Sequence, residues 1–290
     1  MNKNLNSNAK LMLGTANLVT KYGIANQNEM SNLEAELLIN HSIKSGIRSF
    51  DTAPSYGNAE EILGGILVKN LDIRVYTKFS SNSDIDLKSA IKSIEESREK
   101  LRIKQIYCVL FHNPNAHLDK NFRNLVLLIL ERGLAQKVGI SCYDKAQVIS
   151  AKSLCPELTV FQLPENIANR KYFDSSELLN LSKSGNEILV RSIFLQGLLL
   201  MDPLNLNRKF DDAAEAIRKL SRIADEYQIS ISDLCMSYAI SIPWATSILV
   251  SAANISQLDQ ITNFKKVELN FDNFPIISNK ILDPRNWDNL

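Results

Sequence analysis

The feature that most constrains this chain is an alternation that recurs along nearly its whole length. Short β-branched or apolar runs at 11–14, 48–51, 74–77, 105–111, 137–141, 159–162, 187–192 and 246–250 read as strands. Between and after them, the segments 32–45, 59–69, 84–101, 118–132, 145–153, 175–183, 211–227 and 256–264 carry apolar residues at helical spacing. Strands that alternate with helices pair in parallel, because a parallel neighbour is reached only by a crossover and the helix supplies it. Eight such units close most naturally into a single-domain (β/α)8 barrel spanning residues 1–290, whereas a doubly wound sheet usually has fewer strands and an edge strand without its helix. A further helical segment at 232–240 precedes the eighth strand. Ser31 with Glu34 has the spacing of a capping box, and Asn58 and Ser175 stand where N-caps are needed.

Composition narrows the partners. The chain is 45% hydrophobic and 22% charged, ordinary for a soluble globular protein and far from the signature of disorder. Lys and Arg number 33 against 32 acidic residues, a net charge of +1, so the basic footprint of a nucleic-acid binder is missing. Cys108, Cys142, Cys155 and Cys235 are scattered without CxxC spacing, which suggests neither a zinc site nor a disulfide framework and fits a reducing cytoplasm. The apolar run after Lys10 is too short for a membrane span, and 125–130 reads as a buried helix face. The expectation is a cytoplasmic protein, monomeric or a small homo-oligomer, whose partner is a small molecule rather than nucleic acid or membrane.

In a barrel the chemistry sits at the C-terminal ends of the strands, so the residues closing each apolar run carry the information. Strand two ends in Asp51, strand three runs into Lys78, and strand four meets His112. Strands five to eight close with Ser141, Gln162, Ser192 and Ser251. Singly, each has an ordinary explanation: a turn aspartate, a solvated lysine, a loop histidine and, for Tyr56, a rim aromatic. An acid, a phenol, an ammonium and an imidazole on three successive loops of one face are harder to assign to chance. His41 and His117 read as structural. Gly64 and Gly65 lack GxGxxG spacing, so there is no Rossmann fingerprint.

The run Phe50-Asp51-Thr52-Ala53-Pro54-Ser55-Tyr56-Gly57, followed by Glu60, Leu63 and Gly64, resembles the signature of the aldo-keto reductases. Tyr76-Thr77-Lys78 and Leu110-Phe111-His112 resemble that family's next two strand ends, and the likeness extends from Leu13 to about Leu258. The resemblance implies a catalytic tetrad of Asp51, Tyr56, Lys78 and His112. It implies a nicotinamide cofactor, NADPH by family habit with NADH as the alternative. Ser141 and Gln162 would hold its carboxamide. Ser192, Leu195, Gly197 and Ser251 would meet its pyrophosphate, with Gly14 and Thr15 approaching from strand one. Three departures stand out. Cys142 follows Ser141 where the family often has Asn, and Arg191 replaces an aromatic that stacks on the nicotinamide. After strand eight the basic residue usual in NADP-binding members is missing, and Ser251, Asn254 and Gln257, at the start of the following helix, are the positions left to bind the cofactor there.

Reduction of an aldehyde, ketone or sugar carbonyl needs a hydride for carbon and a proton for oxygen. The resemblance gives the second task to Tyr56. A free phenol, with a pKa of about 10, parts with its proton reluctantly near neutrality, so a neighbouring ammonium such as Lys78 has to favour the phenolate. Asp51 would keep Lys78 charged, and His112 would orient the carbonyl oxygen. Two other readings stand beside this one: a Schiff-base lyase using Lys78, and a non-catalytic nicotinamide-binding sensor or structural subunit. The segments 113–115, 166–172 and 191–200 are the expected substrate walls. Arg191 and Arg170 point to an anionic or sugar-like carbonyl compound, and the stretch 270–290 either covers the barrel mouth or packs on its side.

Overall fold

Strands β1 (Leu11–Gly14), β2 (Ser49–Asp51), β3 (Arg74–Phe79), β4 (Ile106–Phe111), β5 (Ala135–Ser141), β6 (Val160–Pro164), β7 (Glu187–Arg191) and β8 (Ser247–Val250) pair in parallel in chain order. The barrel closes where Leu11, Met12 and Leu13 of β1 meet Ile248, Leu249 and Val250 of β8. The computed structural model describes all residues except 1–7, 20–23, 25–29, 69, 71, 81–83 and 290.

The alternation of a pleated strand sorts the residues into two layers. One set, including Leu13, Phe50, Val75, Val109, Ile140, Phe161 and Val190, points outward and packs under the helices as the main core. The other set points into the barrel, where Met12, Tyr76, Cys108, Leu110, Val160 and Leu189 form a separate apolar cluster. Asp51, Lys78, His112, Ser141, Gln162 and Arg191 continue this inward phase at even steps from members of that cluster or along the same registers. Below the cluster, Glu187 accepts from Tyr76 Oη at 2.7 Å, Tyr107 Oη at 2.5 Å and Lys137 Nζ at 2.5 Å, plugging the other end with a satisfied polar group.

The helices that cover the barrel include α1 (Asn32–Lys44), α2 (Ala59–Leu67), α3 (Leu87–Lys100), α4 (Phe122–Glu131), α5 (Lys145–Leu154), α6 (Ser176–Lys183), α7 (Asp211–Glu226), α8 (Ile231–Ser241) and α9 (Ile255–Thr262). The Ser31–Glu34 capping box forms, and Ser175 caps Leu178. Asn58 does not cap α2; its amide donates instead to Asn32 Oδ1 at 3.0 Å. The helix expected from 84 begins only at Leu87, where Asp86 accepts from Ser89 N. The one expected from 118 begins at Phe122, after a 3-10 turn at Ala116–Leu118. Strand β3 runs past 77 to Phe79, because Lys78 and Phe79 remain in register with Leu110 and Phe111 of β4. Gly64 of α2 and Gly139 of β5 mark close backbone approaches: a Cβ at Gly64 would lie 2.2 Å from Lys100 O, and one at Gly139 would lie 2.1 Å from Val160 O.

Candidate active site

The floor of the barrel mouth is a hydrogen-bonded row that joins β2 and β3 to β5 and β6 across the barrel. Lys78 Nζ donates to Asp51 Oδ1, to Thr52 O at 3.3 Å and to Tyr56 Oη at 3.2 Å. Asp51 Oδ2 accepts from Gln162 Nε2 at 2.9 Å, and Gln162 Oε1 accepts from Ser141 Oγ at 3.0 Å. The Lys78 and Asp51 side chains are each only 3% exposed. A buried ammonium is stable only with close compensation. Burial alone would lower the Lys78 basicity, but the Asp51 carboxylate and the Tyr56 oxygen outweigh it and hold the ammonium above its ordinary value.

Tyr56 reaches this row because β2 ends at Asp51 and the chain turns at once, with Tyr56 N donating to Ala53 O and Gly57 taking a φ of 53° ahead of α2. The Lys78 Nζ also lies 4.8 Å from the Tyr56 ring centroid. His112 is fixed at the end of β4 by its backbone N–H on Phe79 O at 2.8 Å, and its Nδ1 lies 3.2 Å from Ser80 Oγ. Burial, then the Lys78 charge, lowers its basicity, so the imidazole is neutral near pH 7. Tyr56, Lys78, Asp51 and His112 all line one cavity of about 870 Å³.

Ser141, Gln162, Arg191, Ser192, Gly197, Ser251 and Gln257 line the same cavity. Gly14, Thr15, Leu195 and Asn254 are not among its lining residues. Gly14 backs the Ser251 hydroxyl, which a Cβ there would approach to 3.0 Å, while Thr15 and Leu195 are wholly buried. Asn254 Oδ1 accepts from Gln257 N at 2.9 Å as the N-cap of α9, and Gln257 Oε1 accepts from Ala253 N. The loop after β7 curls around the cavity with left-handed backbone at Ser192 (φ 63°), Leu195 (49°), Gln196 (53°) and Gly197 (90°). Three non-glycine residues in that region within one loop are unusual and characteristic of functional segments.

Of the three expected substrate walls, only the one after β7 lines this cavity; no residue of 113–115 or 166–172 does. Arg170 does not face it either. Its guanidinium donates to Ile167 O, Phe274 O and Pro275 O, tying the β6–α6 loop to the C-terminal stretch. That stretch does cover the mouth, because Pro284 and Arg285 line the cavity. Sequence reading missed Asn17, Tyr143 and Arg285. Asn17 and Tyr143 each follow a strand end by a few residues and carried that signal; Arg285, more than 30 residues past the last strand, carried none. His117 is structural, with Pro114 O at 3.0 Å and Ser150 Oγ at 3.1 Å, and His41 bridges α1 to Asp259 of α9.

A parallel eight-stranded barrel whose strand ends gather a tyrosine, a lysine, an aspartate and a histidine on the floor of one cavity defines the class. The family model described as "Aldo/keto reductase family" matches residues 10–281, and the chain belongs to that family. A "Probable voltage-gated potassium channel subunit beta" of Oryza sativa subsp. japonica is 24% identical, over 88% of this chain and 87% of its own. The barrel is similar to a glycerol dehydrogenase from Gluconobacter oxydans (TM-score 0.67, 19% identity, 90% and 88% of the two chains). It is also similar to an aldo-keto reductase from Bacillus halodurans (TM-score 0.70, 17% identity, 90% and 88%). Among the described residues no helix is long and apolar enough to cross a membrane.

Proposed function

We propose that this chain is an oxidoreductase that reduces an aldehyde or ketone to an alcohol with a nicotinamide dinucleotide, using Tyr56 as the proton donor. The observation that carries the reading is the Lys78 ammonium, held between the Asp51 carboxylate and the Tyr56 hydroxyl at 3.2 Å. The lining fits such a cofactor. The cavity volume lies in the range of roughly 300–1,000 Å³ usual for small-molecule sites. Asn17, on its wall, donates to Ala252 O at 2.7 Å while its Oδ1 has no hydrogen-bond partner among the described residues. Ser141 and Gln162 would hold the carboxamide, since the Gln162 amide is already oriented by Asp51 on one side and Ser141 on the other. When bound in reduced form, the dinucleotide supplies the hydride.

The remaining steps belong to the chain itself. His112, neutral and held at Nδ1 by Ser80, has Nε2 left to hydrogen-bond the substrate oxygen. Tyr56 passes its proton to that oxygen as charge develops on it, and the Lys78 ammonium stabilises the phenolate left behind. Asp51 keeps the ammonium charged and in place. The same ion pair argues against a Schiff-base role, which requires a neutral lysine. NADPH and NADH are both candidates: residues 251–261 include no Lys or Arg for a 2′-phosphate, and Asn254 and Gln257 are engaged in capping α9.

Tyr56→Phe tests the reading. Turnover across a panel of aldehydes and ketones should fall about 10²–10⁴-fold, with nicotinamide fluorescence still reporting NADPH or NADH binding. Undiminished turnover refutes the assignment. The rice relative's name, a subunit of a channel, supports a second reading in which this chain is a structural subunit; binding of either cofactor with no reduction of any carbonyl in the wild-type panel would favour it.

A further inference from the structure

Besides Lys78, the cavity lining carries two more cations, both on one aromatic ring. The Arg191 guanidinium lies 4.5 Å from the Tyr143 ring centroid and that of Arg285 lies 3.5 Å from it. All three residues line the cavity. Tyr143 is placed by the end of β5, with its backbone N–H on Gln147 Oε1 at 2.8 Å. Arg191 ends β7 and donates only to neutral acceptors, Ser192 Oγ and Cys142 O, both at 3.2 Å. Among the described residues it has no ion-pair partner, although it is half-buried. Arg285 is locked by Asp283, which accepts from its Nε at 2.9 Å and its Nη2 at 2.5 Å, leaving the Nη1 edge without an acceptor among the described residues. The turn carrying Arg285 is pinned by Trp287, whose Nε1 donates to Ile281 O at 2.8 Å and whose ring packs on Phe210. Two guanidiniums therefore face one carboxylate, and the N–H groups they have left are charged donors suited to a carboxylate or phosphate.

A dinucleotide's own phosphates are the competing occupant, since Arg191 donates to Ser192, which the resemblance assigns to the pyrophosphate. The dinucleotide's reacting ring, however, has to lie beside Tyr56 and His112, away from the phosphates. Arg191 stands at that reacting end, where after burial and Lys78 it adds to the repulsion that keeps His112 neutral. We infer that Arg191 and Arg285, gathered on the Tyr143 ring, form a subsite for an anionic group, carboxylate or phosphate, carried by the carbonyl substrate. The inference rests on the carbonyl-reduction reading for what the substrate does, but the anion preference itself is a binding property and is measured as one.

The test compares matched probes: 4-oxobutanoate with butanal, and glyceraldehyde 3-phosphate with glyceraldehyde. Each is titrated calorimetrically into the full chain with and without NADP⁺, and NADPH binding is followed separately by fluorescence. The anionic member of at least one pair should bind roughly tenfold to a hundredfold more tightly, the range of hydrogen bonds to charged groups. The pair that shows the preference identifies the anion as carboxylate or phosphate. Arg285→Ala and Arg191→Ala should each collapse that ratio. Tyr143→Phe should keep it and Tyr143→Leu should lower it, because the ring and not the hydroxyl seats the guanidiniums. Equal binding of both members of both pairs overturns the inference, as does a ratio that survives both arginine substitutions. It is also overturned if Arg285→Ala weakens NADPH as much as it weakens the anionic probe, since the arginines would then serve the cofactor. An anion preference without NADPH binding leaves the subsite standing and refutes the carbonyl-reduction reading; NADPH-dependent turnover without an anion preference does the reverse.

Discussion

Replacing Glu165 with glutamine isolates one titration in the wall behind the site. Glu165 follows β6 directly, its backbone N–H donates to Arg191 O at 3.1 Å, and its side chain is wholly buried. Oε1 accepts from Tyr238 Oη at 2.7 Å, and Oε2 has no hydrogen-bond partner among the described residues. Burial pushes this carboxyl from 4.5 up to about 8, against the smaller downward pull of the Tyr238 hydroxyl. The folded chain thus holds the proton more tightly than the unfolded chain does. Stability linked to Glu165 is complete below 4.5 and is lost as pH rises through about 8. At about 1.4 kcal/mol per pH unit, the loss is roughly 3 kcal/mol at pH 7 and roughly 5 kcal/mol once the group is ionised. Glutamine keeps an acceptor for Tyr238 and cannot ionise. Urea unfolding of both proteins at pH 5 and pH 8.5 should show the variant gaining about 4 kcal/mol relative to wild type between those conditions. All other titrations are common to the two chains and cancel. A free-energy difference that is the same at both pH values refutes the reasoning.

The buried ion pair and the tight helix contact give two further outcomes. Asp51→Asn and Lys78→Met should each cost about 3–5 kcal/mol in urea unfolding, because each strands a buried charge, and the double variant should lose much less than the sum; additive losses would show that the pair is uncoupled. Gly64→Ala should destabilise by about 1–3 kcal/mol, because the new methyl meets immobile backbone at Lys100 and Leu101. Gly65→Ala, with nothing within 4 Å, is the control and should be neutral or stabilising by up to about 1 kcal/mol in thermal melts.

The barrel and its floor were legible because strand ends can be read locally. A polar residue that terminates a buried apolar run has few places to go, and Asp51, Lys78, His112, Ser141 and Gln162 all obey that logic. Lys78 shows its limit, since register with Leu110 carries β3 beyond the point where the apolar pattern stops. The substrate wall was less legible for a different reason. Arg170 and Arg285 are both arginines outside the strands and the helices that cover the barrel, and nothing near either in sequence tells which one faces the cavity. Three backbone carbonyls 3 to 105 residues away claim Arg170, whereas an aromatic ring from the β5 loop receives Arg285. Asn254 likewise has the chemistry of a ligand contact and is used as a helix cap.

The row from Tyr56 through Lys78, Asp51 and Gln162 to Ser141 spans four strands through direct side-chain hydrogen bonds. Gln162 can satisfy Asp51 only through its Nε2, so its Oε1 is obliged to turn toward Ser141. A rotation of that single amide would set a carbonyl oxygen against the Asp51 carboxylate and loosen the ammonium behind Tyr56. The group that would grip the cofactor and the group that would deliver the proton therefore share one orientation. Substitutions at Ser141, several side chains away from the reacting oxygen, should register at Tyr56 as a change in proton delivery.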